Sequence, residues 1–341
     1  MNVVPDSFEI NGVQIQPGER SRLEIPIARL PTDTMLSLPV TVVNGVRPGP
    51  RLWLSAAIHG DEINGVEIIR QVLERIDAAQ LAGTVVAIPI VNVFGFIEQS
   101  RYLPDRRDLN RSFPGSARGS LAARLAHLFM NEVVNHCTHG IDLHTASHHR
   151  TNWPQIRANL NDPETYRCAQ AFGTPAIIHA EMRDGSLRQA AARRGIPILL
   201  YEAGEALRFD AEAIQMGVEG VLRVMALLAM SADLIPAPTA PPLRISETKW
   251  VRTPRSGILH TRVSLGQFVN HKQILGTVTD AFGGKSTKVI APVAGIVIGM
   301  TLNPLVNQGD GIFHVTVQTA GNGADGDNKG GESNGAIAPP L

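Results

Sequence analysis

Hydrophobic and polar positions divide the chain, as far as residue 230, into short apolar runs that alternate with segments of helical period. The apolar or alternating runs predict strands at residues 22–30, 36–46, 51–58, 84–93, 140–147, 175–180 and 196–204. Apolar residues spaced three and four apart predict helices at residues 64–76, 120–136, 162–173, 186–195 and 210–230. The segment "RPGP" at residues 47–50 predicts a turn. Since buried strands alternate with helices, we expect an α/β fold, with a mixed, mostly parallel sheet flanked by helices.

The pattern changes at the proline-rich segment 235–244, beyond which the helical period disappears. A Pro-x-x-Gly-Ile motif at residues 254–258 recurs at residues 292–296. Two such halves resemble the quasi-twofold β-sandwich of lipoyl and biotinyl domains. We therefore predict three parts: a catalytic domain at 1–240, an all-β lipoyl-like domain at 246–318 and a disordered tail at 319–341, which is rich in glycine and polar residues.

The resemblance to carrier domains leaves a non-catalytic role open. Lipoyl and biotinyl carriers present a modified lysine between their two halves, and Lys285 and Lys288 occupy that segment here. Neither lysine lies in an Asp-Lys-Ala or Met-Lys-Met triplet, which disfavours a carrier role. A binding or carrier module is nevertheless kept as an alternative to an enzyme.

The amino-acid composition disfavours some classes of binding partner. Thirty-one basic residues balance thirty-one acidic ones, so no net charge favours nucleic acid or an anionic membrane. The N-terminus lacks the basic and apolar regions of a secretory signal, and the chain has two cysteines. These features predict a soluble, cytoplasmic protein, and they leave a homo-oligomer open.

The distribution of lysine excludes some catalytic classes. All lysines follow residue 248, so the first 248 residues hold neither a Schiff-base lysine nor a P-loop lysine. The one G-x-S-x-G match, GESNG at residues 331–335, lies in the predicted tail and follows no predicted strand, which disfavours a serine hydrolase of the α/β class.

Two histidines and a carboxylate follow predicted strands. His59 and Glu62 come directly after the strand at 51–58, and His144 ends the strand "IDLH". In an open α/β sheet, ligands bind outside the carboxyl ends of the strands. Two imidazoles and one carboxylate leave a fourth zinc position for water, as in catalytic sites. A helix-capping His59 and a core His144 are the structural alternative. Asp142, two residues before His144, is a candidate to orient its imidazole, and an ordinary loop or capping aspartate is the alternative.

Four short motifs occur in the order found in one known family. They are "HGDE" at residues 59–62, "DLNRSFPG" at 108–115, "DLHT" at 142–145 and "YEAG" at 201–204. With these motifs the sequence resembles the succinylglutamate desuccinylase/aspartoacylase family, which are deacylases on the zinc-carboxypeptidase fold. The resemblance implies Zn²⁺ held by His59, Glu62 and His144, and a catalytic carboxylate at Glu202.

The same resemblance implies how a substrate is held. Asn110 and Arg111 would bind the substrate carboxylate, and Arg101 would polarise the scissile carbonyl. Because the segment between Arg101 and Asn110 looks slightly longer than in aspartoacylase, Arg106 and Arg107 are alternatives for that last role.

Together these features predict a zinc-dependent hydrolase. It would remove an acyl group, such as acetyl or succinyl, from the nitrogen of a small amino-acid derivative. A zinc carboxypeptidase acting on peptides is the alternative within enzymes. The sequence does not define the acyl group or the amino-acid partner.

Overall fold

The structure, a computed structural model, describes residues 6–180, 183–231, 236–238 and 240–317. The strands of the first part of the chain are β1 Phe8–Ile10, β2 Val13–Ile15, β3 Arg20–Arg29, β4 Met35–Asn44, β5 Arg47–Ala56, β6 Ala82–Ile88, β7 His139–Ala146, β8 Arg150–Ala158, β9 Ala176–His179 and β10 Ile198–Glu205. The later strands are β11 Leu243–Ile245, β12 Thr248–Arg252, β13 Gly257–Thr261, β14 Phe268–Val269, β15 Ile274–Thr279, β16 Ser286–Ile290, β17 Gly295–Thr301, β18 Leu305–Val306 and β19 Gly311–Thr316. The α-helices are α1 Asn64–Arg75, α2 Val93–Ile97, α3 Leu121–Glu132, α4 Pro163–Phe172, α5 Leu187–Ala192 and α6 Ala211–Leu227, and short 3₁₀ turns span Leu109–Arg111 and Val134–His136.

One mixed sheet organises the fold. Its main path runs β12-β19-β17-β8-β10-β7-β5-β6-β4-β3. Strands β6, β5, β7 and β10 are mutually parallel, whereas β4 and β3 on one side and β8 on the other add antiparallel pairs. The expected mixed α/β fold is confirmed. The parallel strands direct their carboxyl ends to one edge, where ligands bind in such sheets.

Hydrophobic residues cover both faces of this sheet. Helices α1, α4 and α6 pack on one face around residues such as Val72, Phe172 and Val221. The β1–β2 hairpin, α3 and α5 pack on the other face around Trp53 and Phe129. With apolar cover on both sides, the central strands carry nearly continuous apolar runs.

Local sequence sets the ends of the helices. Helix α4 begins after Asp162, whose carboxylate accepts a hydrogen bond from the Thr165 amide, and Pro163 occupies the first turn. The helix ends at Gly173, which has a φ of 85°, a left-handed conformation that glycine adopts without a steric cost.

Most predicted elements are confirmed, and several differ. The β1–β2 hairpin was not predicted, and the strand predicted at 84–93 ends at Ile88, while Val93–Ile97 forms α2. The predicted turn at 47–50 is wrong, because the chain stays extended there as the beginning of β5. A side chain at Gly49 would lie 2.7 Å from the Gly83 backbone, so small residues let the two backbones pass closely. Strand β8 was not predicted. Pro154 lies at its centre, where the neighbour along that edge changes from β17 to β9.

The C-terminal region that the structure describes, residues 240–317, contains strands and no helix, and it continues the main sheet. Strands β16, β15, β13 and β18 form a second sheet, and the two sheets share an apolar core. Strand β17 pairs with β8, and β11 pairs with β9, so the sheet crosses the predicted boundary between the domains. The predicted tail at 319–341 lies outside the described residues. Among the described residues, no helix is long and apolar enough to cross a membrane.

Candidate metal and active site

The candidate site lies at the carboxyl ends of parallel strands. His59 and Glu62 occupy the loop between β5 and α1, His144 lies near the end of β7, and Glu202 lies near the end of β10. Glu202 and His144 are direct partners in the β10–β7 ladder. The fold therefore brings together the four residues that the sequence motifs indicated.

The Glu62 carboxylate lies between two imidazoles. Its Oε1 is 2.7 Å from Nδ1 of His59, and its Oε2 is 2.7 Å from Nδ1 of His144. All three side chains are buried, and one donor atom from each lies within 4.8 Å of the other two. The Thr145 amide donates a further hydrogen bond to Oε2. The arrangement is a compact set of two nitrogen ligands and one oxygen ligand.

A second carboxylate lies behind each imidazole. Nε2 of His59 is 3.2 Å from Asp108, and Nε2 of His144 is 2.8 Å from Asp142. A neutral imidazole has one N–H and can donate to one carboxylate only. Each ring therefore needs either a second proton or a metal ion on its Nδ1 side.

The pKa shifts of the three donor residues agree with the need for positive charge at this position. Burial alone would lower the pKa of His59 and of His144, but the surrounding carboxylates outweigh it and raise the pKa of both, that of His144 strongly. Burial alone would raise the pKa of Glu62, yet the two imidazoles hold it below its usual range. A divalent cation would supply the same charge while the carboxylates orient the rings. The donor set thus fits a metal ion, as the sequence predicted, and Asp142 contacts His144 as expected.

Arg101 joins this cluster from the irregular segment after α2. It donates hydrogen bonds to Asp108 at 2.9 Å, to Ser147 at 3.2 Å and to Glu62 at 3.5 Å. Arg106 and Arg107, the alternatives for polarising the carbonyl, are exposed and do not line the cavity. Only Arg101 of the three is placed beside the donor set.

A cavity of about 230 Å³ opens over the donor set. Asn110 and Arg111 line it, and Oδ1 of Asn110 accepts a hydrogen bond from the Leu187 amide at 2.9 Å, which orients the Asn110 amide group. Partial desolvation lowers the pKa of Arg111; the Asp108 charge opposes this, while the Arg183 and Arg101 charges add to it. A bound carboxylate would relieve this repulsion between cations.

Glu202 lines the same cavity, and one of its two carboxylate oxygens accepts a hydrogen bond. The Asn152 amide of β8 donates to its Oε2 at 2.7 Å. Among the described residues, its Oε1 has no hydrogen-bonding partner. Sequence reasoning missed Asn152, because β8 itself was not predicted, and it missed Asp108, although Asp108 belongs to the quoted "DLNR" motif.

The fold and the site together define a class: α/β enzymes with a buried His–Glu–His donor set for a divalent metal ion. Comparison with known proteins identifies the family. Residues 48–228, more than half of the 341-residue chain, match the family model for the succinylglutamate desuccinylase/aspartoacylase catalytic domain. The chain belongs to this family, and it is a deacylating hydrolase.

Individual relatives align with nearly the whole of this chain. An N-α-acetyl-L-2,4-diaminobutyric acid deacetylase from Halomonas elongata is 27% identical over 323 residues, which cover 89% of this chain and 92% of the relative. The crystal structure of a succinylglutamate desuccinylase/aspartoacylase from Rhodobacter sphaeroides has a TM-score of 0.80 at 25% identity and covers 88% of this chain and 95% of its own. The product-bound ectoine utilization protein EutE (DoeB) from Ruegeria pomeroyi has a TM-score of 0.82 at 21% identity, with 93% and 100% covered.

We expect Asp142→Asn to weaken metal binding. The substitution keeps the shape of the side chain but removes the charge behind His144, and such supporting partners typically contribute about 10- to 100-fold to metal affinity. Competition with a chromogenic chelator measures the change. Asp33→Asn, at an exposed position, is the matched control. An unchanged dissociation constant for Asp142→Asn would show that the ring is oriented without this carboxylate.

Proposed function

We propose that this protein is a zinc-dependent hydrolase that removes an acyl group from the nitrogen of a small amino-acid derivative. One observation carries the proposal: Glu202, whose Oε1 accepts no hydrogen bond from the residues that the structure describes, lines the same cavity as the His59–Glu62–His144 donor set. A proton acceptor beside a metal-binding set is what hydrolysis of an amide requires.

Zinc is the ion that we propose for this donor set. Two imidazoles and one carboxylate are the ligands of several catalytic zinc sites, which keep one position open. His59, Glu62 and His144 would hold it. When bound, Zn²⁺ lowers the pKa of a water molecule from about 15.7 to about 7 and polarises a carbonyl oxygen.

Glu202 is the proposed general base and acid. Its Oε1 would accept the proton that the attacking water loses and then deliver that proton to the leaving amine nitrogen. Asn152 donates a hydrogen bond to Oε2, which leaves Oε1 as the oxygen that takes the proton in this proposal. The pairing of β10 with β7 sets the distance between this carboxylate and His144.

Three further side chains are proposed to hold the substrate. Arg111 offers a planar fork that suits a carboxylate, and the amide nitrogen of Asn110 adds a donor beside it. Arg101 is proposed to stabilise the negative charge that develops on the carbonyl oxygen during attack. Its contacts with Asp108 and Glu62 fix the guanidinium before substrate arrives.

The relatives and the size of the cavity support the proposed substrate class. The curated relative is named for removing acetyl from a small amino acid, which supports an N-acyl amino acid here. A cavity of about 230 Å³ suits a small molecule and disfavours a peptidase acting on long chains.

We infer that residues 246–318 form a lipoyl-like sandwich next to a catalytic domain at 1–240. The repeated Pro-x-x-Gly-Ile motif and the two facing sheets support this architecture. A carrier role is disfavoured, because this region also lends Trp250 to the catalytic cavity.

We expect Glu202→Gln to retain metal and lose turnover. Glutamine keeps the hydrogen bond from Asn152 but cannot accept a proton, and loss of a general base typically costs about 10²- to 10⁴-fold in rate. Metal analysis and kcat on an N-acetyl amino acid measure the two properties. Glu98→Gln, at an exposed position at the end of α2, serves as the control. Turnover at the native rate in Glu202→Gln would remove this residue from the proposed chemistry.

We expect Arg111→Lys to weaken substrate binding while the chemical step changes little. Lysine keeps the charge but loses the bidentate fork, so KM should rise by roughly tenfold. Steady-state kinetics measures the effect, and Arg118→Lys, at an exposed position in the same loop, provides a comparison. An unaltered KM would rule out Arg111 as a carboxylate-binding residue.

A further inference from the structure

A second group of metal-binding side chains lies at the opposite edge of the sheet from the candidate active site. His139 begins β7, and the five residues of extended strand from His139 to His144 span roughly 17 Å. Glu164 and Cys168 lie on α4. One donor atom from each of His139, Glu164 and Cys168 lies within 4.8 Å of the other two. We call these three residues the His139 cluster.

Regular elements bring the cluster together. Glu164 and Cys168 are four residues apart on α4 and therefore share one face of the helix. On β7, His139 alternates in phase with Ile141 and Leu143, which belong to the apolar core on the side where α4 packs. A strand and a helix that are packed on each other thus fix the relative positions of the three side chains.

The distances within the cluster are those of ligands around one small ion. Nε2 of His139 lies 3.2 Å from Oε1 of Glu164, and Sγ of Cys168 lies 3.9 Å from the same oxygen. Nitrogen, oxygen and sulfur ligands at about 2.0–2.3 Å from a tetrahedral zinc ion are about 3.3–3.6 Å apart. The observed separations are close to these values.

The other nitrogen of His139 already has a partner. Its Nδ1 lies 2.8 Å from Oγ1 of Thr138. The Arg51 amide donates to the same Oγ1 at 3.0 Å, and Oγ1 donates to the Arg51 carbonyl at 3.1 Å. Because a hydroxyl accepts two hydrogen bonds and donates one, an N–H on Nδ1 completes this set and leaves the lone pair on Nε2 for an ion. Metal-binding histidines are typically oriented in this way.

Arg167 competes for the glutamate but does not block the cluster. Its Nε donates to Oε2 of Glu164 at 2.9 Å, and its Nη2 donates to Oε1 at 2.6 Å. The Arg167 side chain is exposed, and exposed ion pairs contribute little free energy. An ion at Oε1 displaces only Nη2. His139 and Glu164 are partly exposed, so an ion can reach them from solvent.

The donor types select the kind of ion. A thiolate, an imidazole and a carboxylate suit Zn²⁺, whereas Mg²⁺ and Ca²⁺ prefer ligands that are all oxygen. When a thiol binds zinc it loses its proton, which passes to solvent. With three protein ligands, the fourth position of a tetrahedral ion is filled by water.

We propose that His139, Glu164 and Cys168 form a second zinc site that links the first turn of α4 to the beginning of β7. This site shares no residue with the His59–Glu62–His144 donor set. The inference therefore does not depend on the proposed catalytic function.

Cobalt absorption tests the site, because a thiolate bound to Co²⁺ gives a charge-transfer band in the near ultraviolet. The chain has two cysteines, and the His59–Glu62–His144 donor set contains no sulfur. Full-length protein that has been freed of metal should develop this band when Co²⁺ is added, and Zn²⁺ should then remove the band by displacing Co²⁺. Cys168→Ala should show no band.

Cys137→Ala is the matched control. Cys137 is also buried, but it belongs to the apolar core on the other face of the sheet. We expect its cobalt band to equal that of the native protein. Absence of the band in the native protein at millimolar Co²⁺, or its persistence in Cys168→Ala, would overturn the proposal.

Surface variants test the other ligands without changing the core. Glu164→Gln and His139→Gln should each weaken Co²⁺ binding, measured by the same band, by more than about tenfold. Arg167→Gln should strengthen it by about two- to fivefold, because a competing ion pair is removed. Arg70→Gln is the control, since Arg70 makes the same bidentate contact with Glu67 on α1. Unchanged affinity in Glu164→Gln and His139→Gln would exclude these side chains as ligands.

Thermal unfolding and turnover separate this site from the proposed catalytic site. Zinc beyond one equivalent should raise the Tm of the native protein and of Cys137→Ala, but not that of Cys168→Ala, because only a folded site binds the ion. Turnover of zinc-loaded Cys168→Ala should stay within about twofold of the native rate. A cobalt band in a protein that hydrolyses no N-acyl amino acid would contradict the proposed function alone. Hydrolysis without any cobalt band would contradict the second zinc site alone.

Discussion

The structure of the site depends on one buried carboxylate that two imidazoles share. Glu62 places an oxygen 2.7 Å from each Nδ1, and Asp108 and Asp142 lie behind the two rings. Glu62 and Asp142 are buried, and Asp108 is half-buried. Two neutral rings have only two N–H groups for their four close contacts with these carboxylates, so the cluster favours a further proton or a metal ion on the rings. In the proposed function, a metal ion on the Nδ1 side of both rings supplies this charge, and Glu202 beside it accepts the proton.

The parallel strands of the sheet position the candidate site, and the antiparallel strands next to them line its cavity. Parallel strands β5, β7 and β10 bring the donor set and Glu202 to one edge. Strand β8 then joins β10 to β17, and through it the C-terminal region reaches the cavity. Asn152 and Arg150 lie on this strand and line the cavity, and Asn152 holds the proposed base. The C-terminal region is thus a part of the active site in the proposed function.

The sequence predicted those features that local pattern and chemistry determine. Helical spacing located α1, α3, α4 and α6, and strand-end residues indicated His59, Glu62 and His144 as a cluster. Asp108 escaped notice because nothing in its local sequence shows that it will meet an imidazole 49 residues away. Strand β8 was not predicted, because its segment carries polar residues and Pro154. It forms a strand through its pairing with β10, β9 and β17. The pairing across the predicted domain boundary is a tertiary contact without a local signal.

The central claim is that His59, Glu62 and His144 hold one divalent ion beside Glu202. Anomalous diffraction at the zinc absorption edge, from crystals of the zinc-loaded protein, tests it most directly. We expect one strong peak about 2.0–2.2 Å from Nδ1 of each histidine and from a Glu62 oxygen. A crystal with its zinc elsewhere, and with Glu62 still in direct contact with both imidazoles, would contradict the account.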